Sequence, residues 1–289
     1  MFLWWEMGKN RGDAQRITTN QECVKIFRVT KMINIKLIGK KGSNACKEIR
    51  KGCNIRNYTG KTRIMPDILV NYGLNKDHLA TFFRLYPSAR KIPVLNRYVG
   101  YSKFKVVQRA ASQDVTVPKT KLSLDKKDNK SDWIEKRVNS IGGKGICWAR
   151  RKGQIPGKYY QQFIKNRIYE IRIHSFKWLP QDEWSVQKRY GSNDEIAWNY
   201  SNGGHFATVH NPGSYNIFRE AWKVSDKILT MLGMNFGAVD FIVDSKYELY
   251  FIEINSAPGF TELSKQIYVD AFNSLKNLSR KQVLRFSGT

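Results

Sequence analysis

The sequence predicts a mixed-class protein: a small parallel α/β module over residues 31–120, then a strand-rich α+β region over 121–289. Three observations carry this. Between residues 33 and 111, short apolar strands alternate with helix-length segments, the pattern of strand–helix–strand units. From Trp133 onward, strand-like runs follow one another across glycine-rich or polar turns. Near the end, one long amphipathic segment leads into a pair of apolar strands at 238–254.

Composition sets the bounds. A chain of 289 residues with 41% hydrophobic and 13% aromatic content has apolar material for two or three modules and is not compositionally disordered. The opening MFLWW is too short for a signal-peptide core, and no apolar run approaches the roughly 20 residues of a membrane span. Cys23, Cys46, Cys53 and Cys147 form no CxxC pair; Cys46 could bridge to Cys53, but a reduced, cytoplasmic protein without a membrane partner is the expectation. The net charge is +26, and residues 1–64 hold 15 Lys and Arg against 4 Asp and Glu. That surplus suits a polyanionic partner, and equally a solubility charge. Charge alone names no partner.

Taken in order, residues 1–30 are polar and poorly periodic and read as a peripheral basic arm. Residues 33–38 alternate as a strand and run into Gly39-Lys-Lys-Gly-Ser43, which lacks the spacing of a phosphate loop and reads as a strand-to-helix turn. Ser43 or Asn44 caps a helix over 44–51 that Gly52 ends. Strands are expected at 67–71 and 92–95, a helix from Ser102 through Ala111, an exit strand at 115–120 and a charged hinge at 125–131. The run 133–138 alternates, and Gly142, Gly143 and Gly145 around Lys144 make a loop whose amides can approach phosphate because no Cβ intervenes. An ordinary flexible hairpin fits that loop equally well. Strands follow at 159–164 and 170–176, with two more around 187–189 and 195–200. Ile217, Phe218, Trp222, Ser225, Ile228, Leu229 and Leu232 recur at helical spacing, and Gly233 stops that helix. A last helix spans about 262–278, with a basic tail from Arg280.

The strand pair before that helix holds the most chemistry. Residues 238–243 and 248–254 read as strands joined by the polar turn Asp244-Ser-Lys-Tyr247. Side chains alternate along a strand, so Glu253 and Asn255 share a face. A loop of even length makes opposed indices sum to an odd number, which brings Asp240 to that face. Two carboxylates and an amide oxygen suit Mg²⁺, usually held by one or two carboxylates plus substrate phosphates. A plain surface hairpin is the alternative. Against it, Val239, Phe241, Ile252 and Ile254 are the flanks of a buried pair, and buried carboxylates need a partner or a metal.

Glycine loop, hinge strand, basic strands, and then an Asp strand paired with Glu253-Ile-Asn255-Ser-Ala-Pro-Gly259 resemble the ATP-grasp ligases, and within them the branch of ribosomal-protein glutamate ligases and related peptide-bond formers. The resemblance covers roughly 90–275. It implies two α+β subdomains holding ATP between them, 121–165 with flap and hinge and 166–289 with the metal site, behind the 31–120 module. By motif, Lys136 and Lys144 are the phosphate-meeting lysines, with Arg137 where members often have proline. Gln161, Gln162, Phe163 and Ile164 match the hinge that reads adenine, although Gln162 replaces a usual acidic residue. Glu170-Ile-Arg172 matches the acidic-x-Arg pair, with Arg172 on phosphate or an acyl phosphate. Lys188 and Arg189 occupy another phosphate-facing position. Asn199 precedes Gly203-Gly204 as in the family's Asn-x-x-x-Gly-Gly.

The resemblance further implies Asp240, Glu253 and Asn255 as ligands of Mg²⁺, as two ions or with Mn²⁺ in its place. The implied reaction activates a carboxylate with ATP and passes it to an amine on a small molecule, peptide or protein tail. A kinase acting on a hydroxyl from the same site is one alternative. A basic nucleic-acid-binding protein with an inactive fold is another, disfavoured because a dead site has no need of gathered carboxylates.

Overall fold

The first described segment of the chain is β1 (Ile35–Gly39), followed by helix α1 (Asn44–Cys53), β2 (Arg56–Asn57) and β3 (Ile68–Tyr72). Helix α2 (Lys76–Leu85), β4 (Val94–Leu95) and helix α3 (Lys103–Ala111) complete the module. The computed structural model describes residues 33–287 except 41, 62, 98, 139–144, 193–194 and 199–202, with Glu262, Leu263 and Ser287 described by backbone alone. The arm at 1–30 and the predicted site residues Gly142, Gly143, Lys144 and Asn199 therefore lie outside the described residues. The strands are parallel in the order β2–β1–β3–β4, as the alternation of strands and helices requires.

Two local details differ from expectation. Gly52 does not end α1: the helix runs on to Cys53, and Asn54 makes the left-handed cap at φ 50°. A Cβ on Gly52 would lie 2.5 Å from Val269 Cγ2, so the glycine serves helix–helix contact rather than termination. Gly52→Ala gains up to about 1 kcal/mol of helix propensity but overpacks the contact with buried Val269, at a cost of about 1–3 kcal/mol. A lower melting temperature is expected; a higher one would place Val269 elsewhere. Helix α2 is an addition to the expected elements, with Asn75 accepting from the His78 amide as its cap and Leu79 and Phe83 buried on one face.

The middle of the chain forms β5 (Thr120–Lys121), β6 (Ser123–Leu124), β7 (Trp133–Arg137), β8 (Cys147–Trp148), β9 (Gly153–Gln154) and β10 (Lys158–Gln162). An antiparallel sheet runs β5–β10–β7–β8, and β6 pairs with β9. The expected exit strand contracts to β5. Trp133, Ala149, Ile155 and Tyr160 pack on the outer face of this sheet.

The last part contains β11 (Arg167–Phe176), β12 (Ser185–Tyr190), β13 (His205–Thr208), helix α4 (Asn216–Leu232), β14 (Phe236–Asp244), β15 (Leu249–Asn255), helix α5 (Glu262–Lys276) and helix α6 (Arg280–Ser287). Its antiparallel sheet runs β13–β12–β11–β14–β15. No strand forms at 195–198, where Trp198 instead stacks with Arg167, 4.0 Å from guanidinium carbon to ring centre. The basic tail is helical, and Val283 anchors it. Gly233 ends α4 at φ 62°, as expected.

Alternation along β11 and β14 divides this sheet. Ile171, Ile173, Val239 and Phe241 pack under α4, against Phe218, Trp222 and Leu229. Glu170, Arg172, His174 and Asp240 occupy the opposite face. A second core joins β1 and β3 to α1 and α5 through Ile35, Ile49, Tyr268 and Phe272. Cys46, Cys53 and Cys147 are free thiols, so the Cys46–Cys53 bridge does not form. No described helix is long and apolar enough to cross a membrane.

Candidate active site

The polar face of the five-stranded sheet is built by register. Arg172 on β11 lies opposite Asp240 on β14, and Asp240 opposite Glu253 on β15; Glu170 and Arg189 face each other across β11 and β12. The Asp240–Glu253 match arises differently from the expected even turn. Val243 pairs with Leu249, so near the turn the paired indices sum to an even number, and Tyr247 takes a left-handed conformation at φ 61°. A bulge then falls between Asp240 and Phe241, and the extra residue, Ile252, restores the odd sum beyond it. Bulges re-aim side chains in this way. The three oxygen-bearing residues share the face because two irregularities compensate.

Each carboxylate there has a cation. Arg172 donates to Asp240 from Nε and Nη2, both at 2.7 Å. Arg189 Nη1 donates to Glu170 Oε2 at 2.6 Å, and its Nη2 lies 3.7 Å from Asp240 Oδ1. Arg167 Nη1 lies 3.7 Å from Glu170 Oε1. Lys103, at the first turn of α3, donates to Glu253 Oε2 at 2.5 Å. The Asn255 amide links the carboxylates of β14 and β15, 3.2 Å from Glu253 Oε1 and 3.4 Å from Asp240 Oδ2.

The β7–β10 face looks onto this group. Lys136 is buried and donates to Gln161 Oε1 at 2.9 Å. Burial pushes its ammonium down to about 8, against the attraction of Glu253. Burial would raise Asp240, but Arg172 holds it below its ordinary value; Lys103 and Lys136 do the same for Glu253. Glu170 goes the other way, because burial outweighs Arg189. Burial and then Arg172 push His174 down to about 4, so it is neutral, with Nε2 3.1 Å from Gln187 Oε1.

Two features fit this cleft to a polyphosphate and a hard cation. Five cations (Lys103, Lys136, Arg167, Arg172, Arg189) face three carboxylates (Glu170, Asp240, Glu253), a net positive charge awaiting an anion. Buried donors also stand without acceptors: Gln161 Nε2, Gln187 Nε2, Arg189 Nε and the Tyr159 hydroxyl. Orphaned buried donors are rare enough to need a cause, and phosphate oxygens supply one. Among the described residues no cluster of three or more His, Cys, Asp or Glu gathers; Asp240, Glu253 and Asn255 are the oxygen-bearing side chains brought together by β14 and β15. Two carboxylates and an amide are hard oxygen donors of the kind that would suit Mg²⁺ together with substrate phosphates.

The predicted residues fall into distinct groups. Lys136, Gln161, Glu170, Arg172, Arg189, Asp240, Glu253 and Asn255 come together. Arg172 is engaged by Asp240 rather than open to phosphate. Lys188 sits on the opposite face, its ammonium 4.2 Å from the Tyr169 ring centre and 5.5 Å from that of Phe218, because neighbouring strand residues point to opposite sides. That corrects its assignment as a phosphate-facing cation. In the hinge, the Gln162 and Phe163 amides donate to Lys119 and Asp132 carbonyls at 2.8 and 2.9 Å. Ile164 follows, half-buried. Gly145 turns at φ 80°, and a Cβ there would meet Arg137 Nε at 2.8 Å. Lys103, paired with Glu253, is a member of this group that the sequence does not point to.

Residues 196–274 match the family model described as the C-terminus of D-ala D-ala ligase. No curated protein matches the sequence. Among solved structures, the ATP-grasp ligase PsnB complexed with its minimal precursor is similar at TM-score 0.57 and 10% identity, covering 86% of this chain and 99% of its own. A Chryseobacterium gregarium RiPP-associated ATP-grasp ligase, in complex with ADP and a leader and core peptide, gives 0.53 and 13%, over 86% and 98%. The D-alanine–D-alanine ligase of Coxiella burnetii gives 0.51 and 11%, over 77% and 70%. With the antiparallel sheets, the parallel N-terminal sheet and the matched C-terminal segment, these comparisons show that the chain shares the fold of the ATP-grasp ligases.

Proposed function

We propose that the protein is an ATP- and Mg²⁺-dependent carboxylate–amine ligase that forms an amide through an acyl phosphate. The observation that carries this reading is the cleft itself: excess cations, orphaned donors and two carboxylates bridged by an amide, between two antiparallel sheets. In this reading residues 121–165 form the nucleotide-side subdomain and 166–289 the metal-side subdomain. PsnB has been solved with precursor, Mg and ADP together, which supports the same cofactors and a peptide as one substrate.

Phosphoryl transfer needs alignment and charge neutralisation more than covalent groups. A carboxylate oxygen of the first substrate attacks the γ-phosphorus of ATP, the bond to the β-phosphate oxygen breaks, and ADP leaves. A neutral amine then attacks the acyl carbon, inorganic phosphate departs, and the nitrogen loses a proton as the amide forms. Lys136 and Arg189 neutralise charge on the phosphates. Arg172 keeps Asp240 ionised and aimed, and Lys103 does this for Glu253. Asp240, Glu253 and Asn255, its amide turned to present oxygen, would hold Mg²⁺, which draws charge from the transferring phosphoryl group. The hinge 161–164 reads the adenine edge with the Ile164 amide and a backbone carbonyl. By the motif resemblance, the phosphate-covering role falls to Gly142, Gly143, Lys144 and Gly145, and the acceptor-side role to Asn199.

Lys136 gives this reading a pH signature. It contributes as an ammonium, present below its pKa of about 8 and lost above it. The kcat/KM for ATP is therefore expected to fall above about pH 8, by roughly tenfold per unit, because that ratio reports the free enzyme. Lys136→Arg should move the falling limb to higher pH. A profile flat to about pH 9.5 would remove Lys136 from the phosphate site. The basic surplus over 1–64 gives another: if it recruits an acidic substrate, KM rises steeply with salt while kcat holds. A flat salt response would return that charge to solubility.

A further inference from the structure

The end of the parallel sheet away from the active site carries a surface that the catalytic reading does not use. The C-terminal ends of β1 and β3 point toward the site: the Tyr72 hydroxyl donates to the Pro258 carbonyl at 2.7 Å, three residues past Asn255. At the other end, the loop before β3 exposes Ile64 at 73% and Met65 at 45%, and the last residue of α2, Leu85, is exposed at 66%. These segments belong together. A Cβ on Gly60 would overlap the Tyr86 ring, and Tyr58 packs edge-on to Phe82 and Tyr86 at 5.7 and 5.6 Å, which binds the loop to the end of α2. Helix α6 reaches the same end, because Arg280 and Val283 line one depression with Ile33, Asp67 and Pro93. Beside it, Arg280, Lys281 and Arg285 stand exposed on α6.

The exposed charges named here are of one sign, Asp67 being partly buried. Arg84 and Lys91 are exposed beside Leu85 and β4, and with Arg280, Lys281 and Arg285 they have no carboxylate at ion-pair distance among the described residues. Asp67, the acid at the start of β3, has its Oδ2 engaged by the Asn34 amide at 2.8 Å. Exposed apolar groups rimmed by charge mark interaction surfaces. The apolar members are aliphatic, which suits aliphatic side chains; single-stranded nucleic acid prefers aromatic platforms on which bases stack. We infer that this end of the parallel sheet docks an acidic polypeptide segment that also carries aliphatic side chains. This binding is independent of the catalytic reading and needs no nucleotide.

Fluorescence anisotropy of the full chain tests it at low salt without ATP, using a labelled alternating Glu/Leu dodecapeptide. Ile64→Ser with Leu85→Ser, and separately Arg84→Glu with Lys91→Glu, are expected to weaken binding at least tenfold. Lys227→Glu, an exposed cation on α4, should leave it within twofold. Equal loss in Lys227→Glu would mean attraction to the overall charge and overturn the proposal. So would an absence of binding at low salt, or a single-stranded RNA bound more tightly than the peptide and weakened by the same substitutions. Glu253→Gln should bind the peptide as the wild type does, so this result stands apart from the fate of the ligase assignment.

Discussion

Glu253→Gln is expected to reduce ATP turnover at least a thousandfold, about 4 kcal/mol of transition-state stabilisation, while the protein stays folded. The substitution keeps the shape of the side chain and the contact with Asn255. It removes the negative charge that the reading assigns to the metal. Its folding cost is confined to the Lys103 partnership, in which Lys103 is 18% and Glu253 23% exposed. A charge-assisted hydrogen bond in such a place contributes about 1.5–3 kcal/mol, a modest loss for a chain of this size. Steady-state ADP release and a thermal melt measure the two effects. Wild-type turnover in this variant would take Glu253 out of the metal site.

Arg172→Met separates position from chemistry. Its guanidinium holds both Asp240 oxygens at 2.7 Å, in a site where neither side chain is much exposed. Removing one partner of a buried pair costs about 3–5 kcal/mol, because the other charge stays behind, here with only the longer 3.7 Å contact to Arg189. At roughly 2–4 °C per kcal/mol for a chain of this length, the melting temperature should fall by about 6–20 °C. Turnover should fall with it. Mg²⁺ should restore more of the melting temperature in this variant than in the wild type, because the ion meets Asp240 without the two close Arg172 hydrogen bonds. An equal response to Mg²⁺ in both would mean that Asp240 is not a ligand, even if the variant is inactive.

Much of this site was legible because strand alternation is a short-range rule. Asp240, Glu253 and Asn255 were assigned to one face from the sequence, and they share it. The reason given was incomplete. The turn and the bulge each shift the register by one, and a bulge leaves no mark that a turn-counting argument can read. Lys188 was open to the same rule: with Arg189 facing the site, its neighbour on the strand must face α4. Helix α2 is legible too, through the Asn75 cap and the spacing of Leu79 and Phe83, although its ten residues give that periodicity only two apolar anchors. Gly52 shows the converse, since a glycine near a helix end reads as a stop signal unless the helix packing against it is known. Lys103 was not legible. Its partner lies 150 residues away, and an N-terminal lysine on a helix is unfavourable by local rules. Only the tertiary pairing with Glu253 explains that choice.

The central claim is acyl activation, and trapping by hydroxylamine tests it most directly. The protein is incubated with ATP, Mg²⁺, hydroxylamine and a panel of amino acids and acidic peptides, and the products are read by mass spectrometry. A ligase of the proposed kind yields a hydroxamate of one carboxylate substrate in step with ADP and inorganic phosphate, and Glu253→Gln yields none. A phosphorylated hydroxyl, with ADP formed and no hydroxamate, would contradict the claim and make the protein a kinase on the same fold.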